Sequence, residues 1–381
     1  MIRSGYLCAE DPLSHYAWSG THRRLFQALQ SCSDAIALGP LQSPALSAIR
    51  LTNRISHKLK LGEAVPHHGM ISARAYARAA QQQLARLQPE VIFAPAASVE
   101  LFHLQTSLPV IYLSDATSRL LEGYYPDFTA MPARKKRALE RFEQHAIQRA
   151  DAVIYPSRWA AQSAIEHYGA DPAKVHVLPF GPNFDAAVPP PVAKDSEHQR
   201  PLRILFVGRD WSRKGGDIAY EAVVGLRRAV LDARLIMCGC NPEVAIDPAV
   251  AEIIPMIDKQ KPGGYEALCA LYASADLFLL PTRAECFGIV FAEAASRGLP
   301  TISYATGGVP SAVLSGVTGQ LLPLDAGADA FADAIAAIVA SPARYTEMSR
   351  AALEDARVRL DWGVWADRVA AAVTAQLAID G

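Results

Sequence analysis

The sequence predicts an α/β protein made of two doubly wound parallel sheets, each belonging to its own domain. The chain has 381 residues, which is long for a single hydrophobic core. Short apolar runs, typical of strands buried on both faces, alternate with longer segments of helical periodicity. A proline-rich, apolar-poor stretch at 185–201 separates two such patterns. We therefore expect domains at 1–184 and 202–365 joined by this linker.

Composition and charge indicate a globular protein and argue against several classes of function. Hydrophobic residues make up 51% of the chain and charged residues 20%, and the formal net charge of −1 gives no general attraction to nucleic acid. No apolar run approaches the roughly 18 residues of a spanning helix, and residues 1–11 lack the pattern of a secretory signal, so we expect a cytoplasmic protein. The six cysteines contain no C-x-x-C pair and are expected to be free thiols.

The loop after the first predicted strand is a candidate anion site. Residues 2–8 predict the strand and 22–30 the following helix, and the loop between them ends at Ser19, Gly20 and Thr21. Gly20 would let the backbone approach a phosphate, and Ser19 or Thr21 would cap the helix. The alternative is an ordinary capped loop without a ligand.

Asp115 is the second candidate in the N-terminal half. It follows the apolar run Val110–Leu113, and side chains at the carboxyl ends of parallel strands face the crevice where ligands bind. The alternative is that Asp115 caps a helix beginning at Ser118. The two roles are compatible.

The C-terminal half begins with a candidate diphosphate site. The predicted strand Leu202–Val207 is followed by a loop that contains Gly208, Arg209 and Lys214. It is not a P-loop, because the order Gly-x4-Gly-Lys-Ser/Thr is missing. Fixed cations would stabilise the negative charge that grows on a departing diphosphate. Arg213 is a weaker candidate for the same task, and a solvated basic turn is the alternative.

Two carboxylates follow the next predicted strand of this half. Glu285 comes after the apolar run Leu277–Leu280, and Glu293 lies in a helix that Gly288 opens. A carboxylate accepts hydrogen bonds well from paired hydroxyls, such as those of a ribose or a sugar ring, and a helix start attracts phosphate. The pattern indicates a nucleotide-sugar site. The alternative is a solvated loop glutamate and a glutamate on a helix surface.

The motifs around these residues resemble the retaining glycosyltransferases of family 4, which have the two-domain GT-B fold. The resemblance is carried by the Glu-x7-Glu pair, Glu-Cys-Phe-Gly at 285–288, Gly-Leu-Pro at 298–300 and Thr-Gly-Gly-Val-Pro at 306–310. It extends to Phe-Val-Gly-Arg at 206–209, Lys-Gly-Gly at 214–216 and Ser-Gly-Val-Thr-Gly at 315–319. It covers residues 200–325 well and the N-terminal half loosely.

The resemblance implies a fold and a set of site residues. Two Rossmann-like domains would face each other across a cleft, and a last helix at about 366–381 would cross back to the first domain. Arg209 and Lys214 would hold the diphosphate, while Glu293 would contact the ribose and Glu285 the hydroxyls of the donor sugar. The remaining donor contacts would come from small residues and backbone, namely Gly20, Thr21, Gly208, Cys286, Phe287 and Gly288.

Asp115 lies where the family often has a histidine near the reacting sugar. It therefore joins Glu285, Arg209 and Lys214 as a candidate catalytic residue. No cofactor and no metal ion are expected, because the chain has no Asp-x-Asp pair and the two cations would take the place of a metal.

The function implied by the resemblance is retaining transfer of a sugar from a nucleotide sugar, with a UDP-sugar or GDP-sugar as the expected donor. By family frequency the acceptor would be a glycan or a lipid-linked glycan in cell-envelope polysaccharide assembly, with a small-molecule or protein acceptor as the alternative. Peripheral contact with the inner face of an anionic membrane would come from four cations that open a predicted helix, Arg134, Lys135, Lys136 and Arg137, with a solvated face as the alternative.

Two other functions stay open: a nucleotide-sugar epimerase of the same fold, and a non-catalytic nucleotide-sugar-binding partner of another transferase.

Overall fold

The computed structural model describes residues 1–60, 63–184, 201–229, 231–259 and 261–379. The chain divides into two compact units, one made of Met1–Leu178 with Trp365–Gly381 and the other of Pro179–Val364. The predicted linker at 185–201 lies outside the described residues, except for Pro201. Among the described residues, each unit contains one six-stranded parallel sheet.

The sheet of the first unit consists of β1 (Arg3–Tyr6), β2 (Asp34–Ala37), β3 (Val91–Pro95), β4 (Val110–Leu113), β5 (Ala152–Tyr155) and β6 (Val175–Val177). The strands lie in the order β2-β1-β3-β4-β5-β6, and all neighbours are parallel. Because β2 and β3 are added on opposite sides of β1, the strand order reverses between β1 and β3. The carboxyl ends of strands at such a reversal border the usual ligand crevice of an open sheet.

The helices described in the first unit are α1 (Thr21–Cys32), α2 (Pro44–Lys58), α3 (Met70–Leu87), α4 (Ser98–Leu101), α5 (Ser118–Leu121), α6 (Pro126–Thr129), α7 (Ala133–Arg149) and α8 (Arg158–Tyr168). Short 3-10 segments lie at Ala17–Gly20 and Pro172–Lys174. Alanines of α3 and α8 face the sheet, and their small side chains let the helices pack closely on the fully buried strands β3, β4 and β5.

The sheet of the second unit consists of β7 (Leu202–Val207), β8 (Ala233–Cys238), β9 (Ala251–Ile254), β10 (Leu277–Leu280), β11 (Thr301–Tyr304) and β12 (Gly319–Leu322). The order is β12-β11-β10-β7-β8-β9, again with parallel neighbours. Here the strand order reverses between β7 and β10. All four residues of β10 are buried, as expected for a parallel strand covered on both faces.

The helices described in the second unit are α9 (Trp211–Lys214), α10 (Gly216–Arg228), α11 (Gly264–Ser274), α12 (Ile289–Ala295), α13 (Val309–Ala312), α14 (Ala328–Val339) and α15 (Pro342–Val358). The last helix, α16 (Trp362–Ile379), begins in this unit, and its residues from Trp365 onward belong to the first unit.

The structure differs from the sequence-based prediction in three elements. The loop at 208–216 contains the short helix α9, which Asp210 caps by accepting from the Arg213 backbone N–H at 2.9 Å. The apolar residues at 254–257 predict a strand, but the strand there, β9, ends at Ile254, because Pro255 has no N–H to continue the ladder. Helix α2 was not predicted, although Ser43 caps it and a proline follows in its first turn.

No helix in the described part of the chain combines the length and the apolar character needed to cross a membrane. All six cysteines are free. Cys238 and Cys240 are buried at and just beyond the end of β8, and burial raises the pKa of both thiols.

Candidate functional site

A buried ion pair joins the two loops that leave β7 and β10. Lys214 Nζ donates to Glu285 Oε2, and each of the two residues is 9% exposed. Their strands are neighbours at the point where the strand order of the second unit reverses. The pair thus places an ammonium and a carboxylate together at the usual ligand position of an open sheet.

Arginine and backbone contacts hold these two loops together. The Arg213 side chain donates to the Ala284 carbonyl at 3.0 Å, and the Arg213 carbonyl accepts from the Arg283 N–H at 2.8 Å. Arg283 also binds both oxygens of Asp217, at 2.9 and 2.7 Å. Arg213, the weaker phosphate candidate of the sequence analysis, therefore ties the loops together.

Gly208 and Arg209 open the loop that contains Lys214. Gly208 donates its N–H to the Cys238 carbonyl at 3.0 Å, and an added Cβ would lie 2.9 Å from Lys214 Cγ, so a larger residue would displace the lysine. Arg209 is exposed directly after the carboxyl end of β7. Its guanidinium is accessible to a ligand.

Close backbone packing shapes the turn that carries Glu285. Gly288 has a φ of 84° at the N-cap of α12, where a side chain would run into Phe291. Gly308 donates its N–H to the Glu285 carbonyl at 3.1 Å and leaves no room for a Cβ beside the Cys286 carbonyl. In the same turn Cys286 is half-buried, whereas Phe287 is buried and packs edge-on against Phe180.

Glu293 is buried within the unit, so the alternative of a helix-surface glutamate is wrong. It is 2% exposed, accepts from the Tyr272 hydroxyl at 2.9 Å and faces Lys259 Nζ at 3.5 Å. A carboxylate at this depth needs such partners, because an isolated charge in the interior is costly. The sequence alone does not point to Tyr272 of α11 or to Lys259, since neither lies in a local motif. Glu285 is likewise not a solvated loop residue.

In the first unit, Asp115 meets the 3-10 segment at Ala17–Gly20. Trp18 Nε1 donates to Asp115 Oδ2 at 3.3 Å. Trp18, Ser19 and Gly20 have φ values of 49°, 57° and 88°, so three left-handed residues follow one another. Such a conformation costs on the order of 1 kcal/mol or more for each non-glycine residue and is concentrated at functional sites.

The predicted caps in the first unit are wrong. Gly20 occupies the N-cap of α1, where no side chain makes a capping hydrogen bond, and Thr21 is already the first residue of the helix. Thr21 is buried. Asp115 does not cap α5, whose N-cap is Thr117.

Two buried carboxyls of the first unit were not singled out by the sequence. Burial raises the pKa of Glu100 to about 7 and that of Glu143 to about 7. Both side chains lie on helices, α4 and α7, at positions whose burial depends on the tertiary fold. In the described part of the chain, no group of three or more His, Cys, Asp or Glu side chains could hold a metal ion.

Solved structures that resemble the whole chain identify its fold. Sucrose-phosphate synthase from Thermosynechococcus elongatus matches with a TM-score of 0.69 at 18% identity, covering 100% of this chain and 99% of that one. The Anabaena protein Alr3699/HepE, solved in complex with UDP and glucose, matches with a TM-score of 0.64 at 16% identity, covering 98% and 100%. The predicted fold class is confirmed: the protein has the two-domain GT-B fold.

Two family models match adjacent parts of the chain. Residues 37–181 match the family described as glycosyl transferase 4-like domain, and residues 201–341 match glycosyl transferases group 1. The chain belongs to the family 4 glycosyltransferases, as its motifs predict.

Curated relatives match over part of their length. The D-inositol 3-phosphate glycosyltransferase of Segniliparus rotundus is 31% identical over 252 residues, which cover 62% of this chain and 54% of that protein. The protein of the same name from Corynebacterium glutamicum is 28% identical over 269 residues, covering 66% and 63%. The chain thus spans between half and two thirds of the length of these relatives.

Proposed function

We propose that the protein is a retaining glycosyltransferase, which moves a sugar from a nucleotide-sugar donor to an acceptor hydroxyl. The observation that carries the proposal is the buried Lys214–Glu285 pair at the strand-order reversal of the second unit. An ammonium and a carboxylate at that place match the two chemical features of a nucleotide sugar, a diphosphate and a hydroxyl-rich ring.

Each charged group of the second unit has a task in this proposal. Lys214 and Arg209 bind the diphosphate, and their attraction grows as negative charge accumulates on the leaving oxygen. Glu293 accepts from the ribose hydroxyls, and Glu285 accepts from hydroxyls of the donor sugar. Donor binding therefore replaces part of the contact between Lys214 and Glu285 with contacts to the ligand.

The transfer step breaks the bond between the anomeric carbon and the diphosphate oxygen and forms a bond from that carbon to the acceptor oxygen. The acceptor proton passes to the departing diphosphate, so atoms and charge balance. Attack from the face that the diphosphate leaves retains the anomeric configuration, and family membership supports this stereochemistry. In this proposal Asp115 of the first unit acts on the acceptor.

Two classes of acceptor can be separated by a direct assay. The names of the curated relatives favour a polyol phosphate such as D-inositol 3-phosphate, and family frequency favours a glycan or lipid-linked glycan of the cell envelope. Parallel incubations with labelled UDP-sugar or GDP-sugar and one acceptor of each class would identify the class by which product carries label.

Contact with an anionic membrane belongs to the proposal as well, and the structure offers two surfaces for it. At the start of α7, Lys135 pairs with Glu63 at 3.6 Å and Lys136 with Glu122 at 3.0 Å, which weakens the predicted patch formed by Arg134, Lys135, Lys136 and Arg137. Helix α2 and the residue after it expose three apolar side chains on one outward face, Leu51, Ile55 and Leu59.

The charge around α2 suits anionic lipid. Arg54 and Lys58 are exposed on the face that carries Leu51 and Ile55, and residues 35–89 contain seven Lys or Arg but one acidic residue. Each cation near an anionic leaflet contributes on the order of 1 kcal/mol, in addition to the burial of apolar side chains. A vesicle sedimentation assay would compare Leu51→Ser/Ile55→Ser with Arg134→Ser/Arg137→Ser on phosphatidylglycerol and phosphatidylcholine vesicles. Absence of wild-type binding to the anionic vesicles would remove the membrane from the proposal.

The donor site is tested by the thermal stability of the protein with UDP, GDP, ADP and TDP and their common sugars. A ligand at a hundred times its dissociation constant adds roughly 2.7 kcal/mol to the free energy of unfolding. We expect one nucleotide class to stabilise the wild type and to stabilise Lys214→Ala much less. Arg344→Ala, on the exposed surface of the same unit, is the matched control and should respond like the wild type.

Product analysis distinguishes the proposal from its rivals. Glycosylated acceptor supports the transferase, an epimerised donor formed without acceptor identifies an epimerase, and tight nucleotide binding without turnover identifies a binding partner. In the transferase, Lys214→Ala or Glu285→Ala should lower kcat by roughly 10²-fold or more. Activity that is lost in chelator and restored by manganese would contradict the proposed metal independence.

A further inference from the structure

The loop that carries Asp115 is held by a carboxyl that the proposed reaction does not use. Glu143 of α7 is 4% exposed, and its Oε2 accepts from both the Ser118 backbone N–H at 2.5 Å and the Ser118 hydroxyl at 2.6 Å. Its Oε1 accepts from the Tyr112 hydroxyl at 3.4 Å. Ser118 is the first residue of α5 and follows Asp115 by three positions.

Glu143 replaces a local helix cap at this point. Thr117 holds the N-cap position of α5 but makes no capping hydrogen bond, because its hydroxyl pairs with the Ser163 hydroxyl at 2.6 Å. The first N–H groups of a helix need acceptors, and here a carboxylate from another helix supplies one. The loop between β4 and α5 is thereby fixed by α7 on one side, while Asp115 accepts from Trp18 on the other.

We propose that Glu143 is a positioning residue for Asp115: it holds the backbone that follows Asp115 and so fixes the Asp115 carboxylate at the Trp18 indole. The inference rests on the proposed function only where it gives Asp115 a role toward the acceptor. The geometry of the loop is independent of which donor or acceptor the protein uses.

Protonation of Glu143 should loosen this loop. Burial raises the pKa of Glu143 to about 7, so the carboxylate that accepts both Ser118 bonds forms as pH rises through that value. The titratable groups facing Glu143 from the packed elements are Tyr112, Asp115, Tyr155 and Tyr168. Two other charged groups lie on helices packed against α7. The charge of Glu100 on α4 raises the pKa of Cys8 and of Tyr76, and Arg119 on α5 lies 3.8 Å from Glu140.

The Trp18 indole N–H reports the position of Asp115 without any substrate. The protein is labelled with ¹⁵N-tryptophan at full length. The variant Trp18→Phe identifies the Trp18 resonance, because this resonance is missing from its spectrum. In the wild type we expect this resonance to shift with pH, with a midpoint near 7. In Glu143→Gln, which keeps an oxygen acceptor but cannot ionise, the shift with pH should disappear.

Controls separate positioning from general destabilisation. Glu100→Gln removes another buried carboxyl whose pKa is also about 7 and should leave the titration of the Trp18 resonance intact. Glu143→Ala should move the resonance toward its position in Asp115→Asn, and Ser118→Ala, which removes one donor, should move it partway. A wild-type resonance in both Glu143→Ala and Ser118→Ala, or a titration that persists in Glu143→Gln, would overturn the proposal.

Kinetics provide the second readout once a donor and an acceptor are known. Misplacement of a reacting group lowers rates by roughly 10²-fold, so Glu143→Ala should lower kcat with the donor KM unchanged. The double variant Glu143→Ala/Asp115→Asn should be no slower than Asp115→Asn alone, because both changes remove the same contribution. Additive losses would assign Glu143 a purely structural role. A failure of the proposed transferase activity would leave the resonance experiment valid.

Discussion

Glu285 is placed by the backbone around it as well as by Lys214. Its carbonyl accepts the Gly308 N–H, and the next carbonyl, that of Cys286, lies against Gly308 Cα. The φ of Gly308 is −84°, which any residue can adopt, so it is the close approach of another backbone that requires glycine here. The turn at 285–288 and the loop at 306–310 therefore determine each other's position.

Substitution of Gly308 tests this dependence. In Gly308→Ala the new Cβ would clash with the Cys286 carbonyl and displace the Glu285 turn, so we expect the affinity for the proposed nucleotide-sugar donor to fall tenfold or more, that is, by roughly 1.4 kcal/mol or more. Calorimetric titration with the nucleotide class that stabilises the wild type in the thermal experiment measures the affinity. Gly327→Ala is the matched control, since Gly327 has open space around its Cα and a φ of −82°. Equal affinities in the two variants would contradict the argument.

Glu100 makes the stability of the first unit depend on pH. Burial raises its pKa from the ordinary 4.5 to about 7, so the folded state binds the proton more tightly than the unfolded state. The resulting contribution is complete below about pH 4.5 and is lost as pH rises through about 7. It amounts to roughly 3 kcal/mol.

Urea unfolding between about pH 5 and pH 8 checks this prediction. The free energy of unfolding should fall with pH less steeply in Glu100→Gln than in the wild type, because the amide has no proton to lose. Glu166→Gln, at an exposed position on α8, should keep the dependence of the wild type. An unchanged slope in Glu100→Gln would show that this carboxyl is not the source.

How well an element can be predicted from the sequence depends on how far apart in the chain the residues lie whose contacts determine it. Strands β7 and β10 are predictable because burial on both faces requires unbroken apolar runs, and the loops after them carry local motifs. Helix α2 is harder to predict, since it bears apolar residues on two faces, Leu46 inward and Leu51 and Ile55 outward. Its amphipathic pattern therefore does not identify the face that packs on the core, because exposed Leu51 and Ile55 form an outward apolar face.

The same limit applies to the candidate site. Lys214, Glu285 and Glu293 are detectable because each lies within or beside a short motif. The bond from Tyr272 to Glu293 joins residues 21 apart, and that from Ser118 to Glu143 joins residues 25 apart. These partners meet only because different helices pack together in the folded protein. No short sequence pattern encodes that packing.

The two faces of α2 should differ in their effect on stability. Leu46 is 2% exposed, and Leu46→Ala should lower the free energy of unfolding by about 2–5 kcal/mol, because it removes packed atoms and leaves a cavity. Ile55 is 50% exposed, and Ile55→Ala should change it by less than about 0.5 kcal/mol. Urea unfolding of both variants measures the difference. A large loss in Ile55→Ala would show that the outward face is covered in solution.

At the level of the whole molecule, α16 is shared by the two units. Trp362 belongs to the second unit, where it stacks on Phe180 at 5.6 Å between ring centroids and donates to the Pro182 carbonyl at 2.9 Å. Trp365, one turn later, belongs to the first unit, is 1% exposed and packs edge-on against Phe93 of β3. One helix thus contributes an aromatic anchor to each unit.

This pair of tryptophans tests whether the units have separate stabilities. Trp365→Ala should cost about 3–5 kcal/mol and increase hydrogen exchange in peptides of the first unit, especially β3 and β4, because it empties a core position beside Phe93. Trp362→Ala should act on peptides of the second unit, such as those around Phe180 and Pro182. Hydrogen–deuterium exchange with mass spectrometry measures both variants in the same full-length chain, each serving as the control for the other. If either substitution increased hydrogen exchange equally in both units, the units would unfold as one cooperative body. The division of the chain at Trp365 would then not separate two parts of different stability.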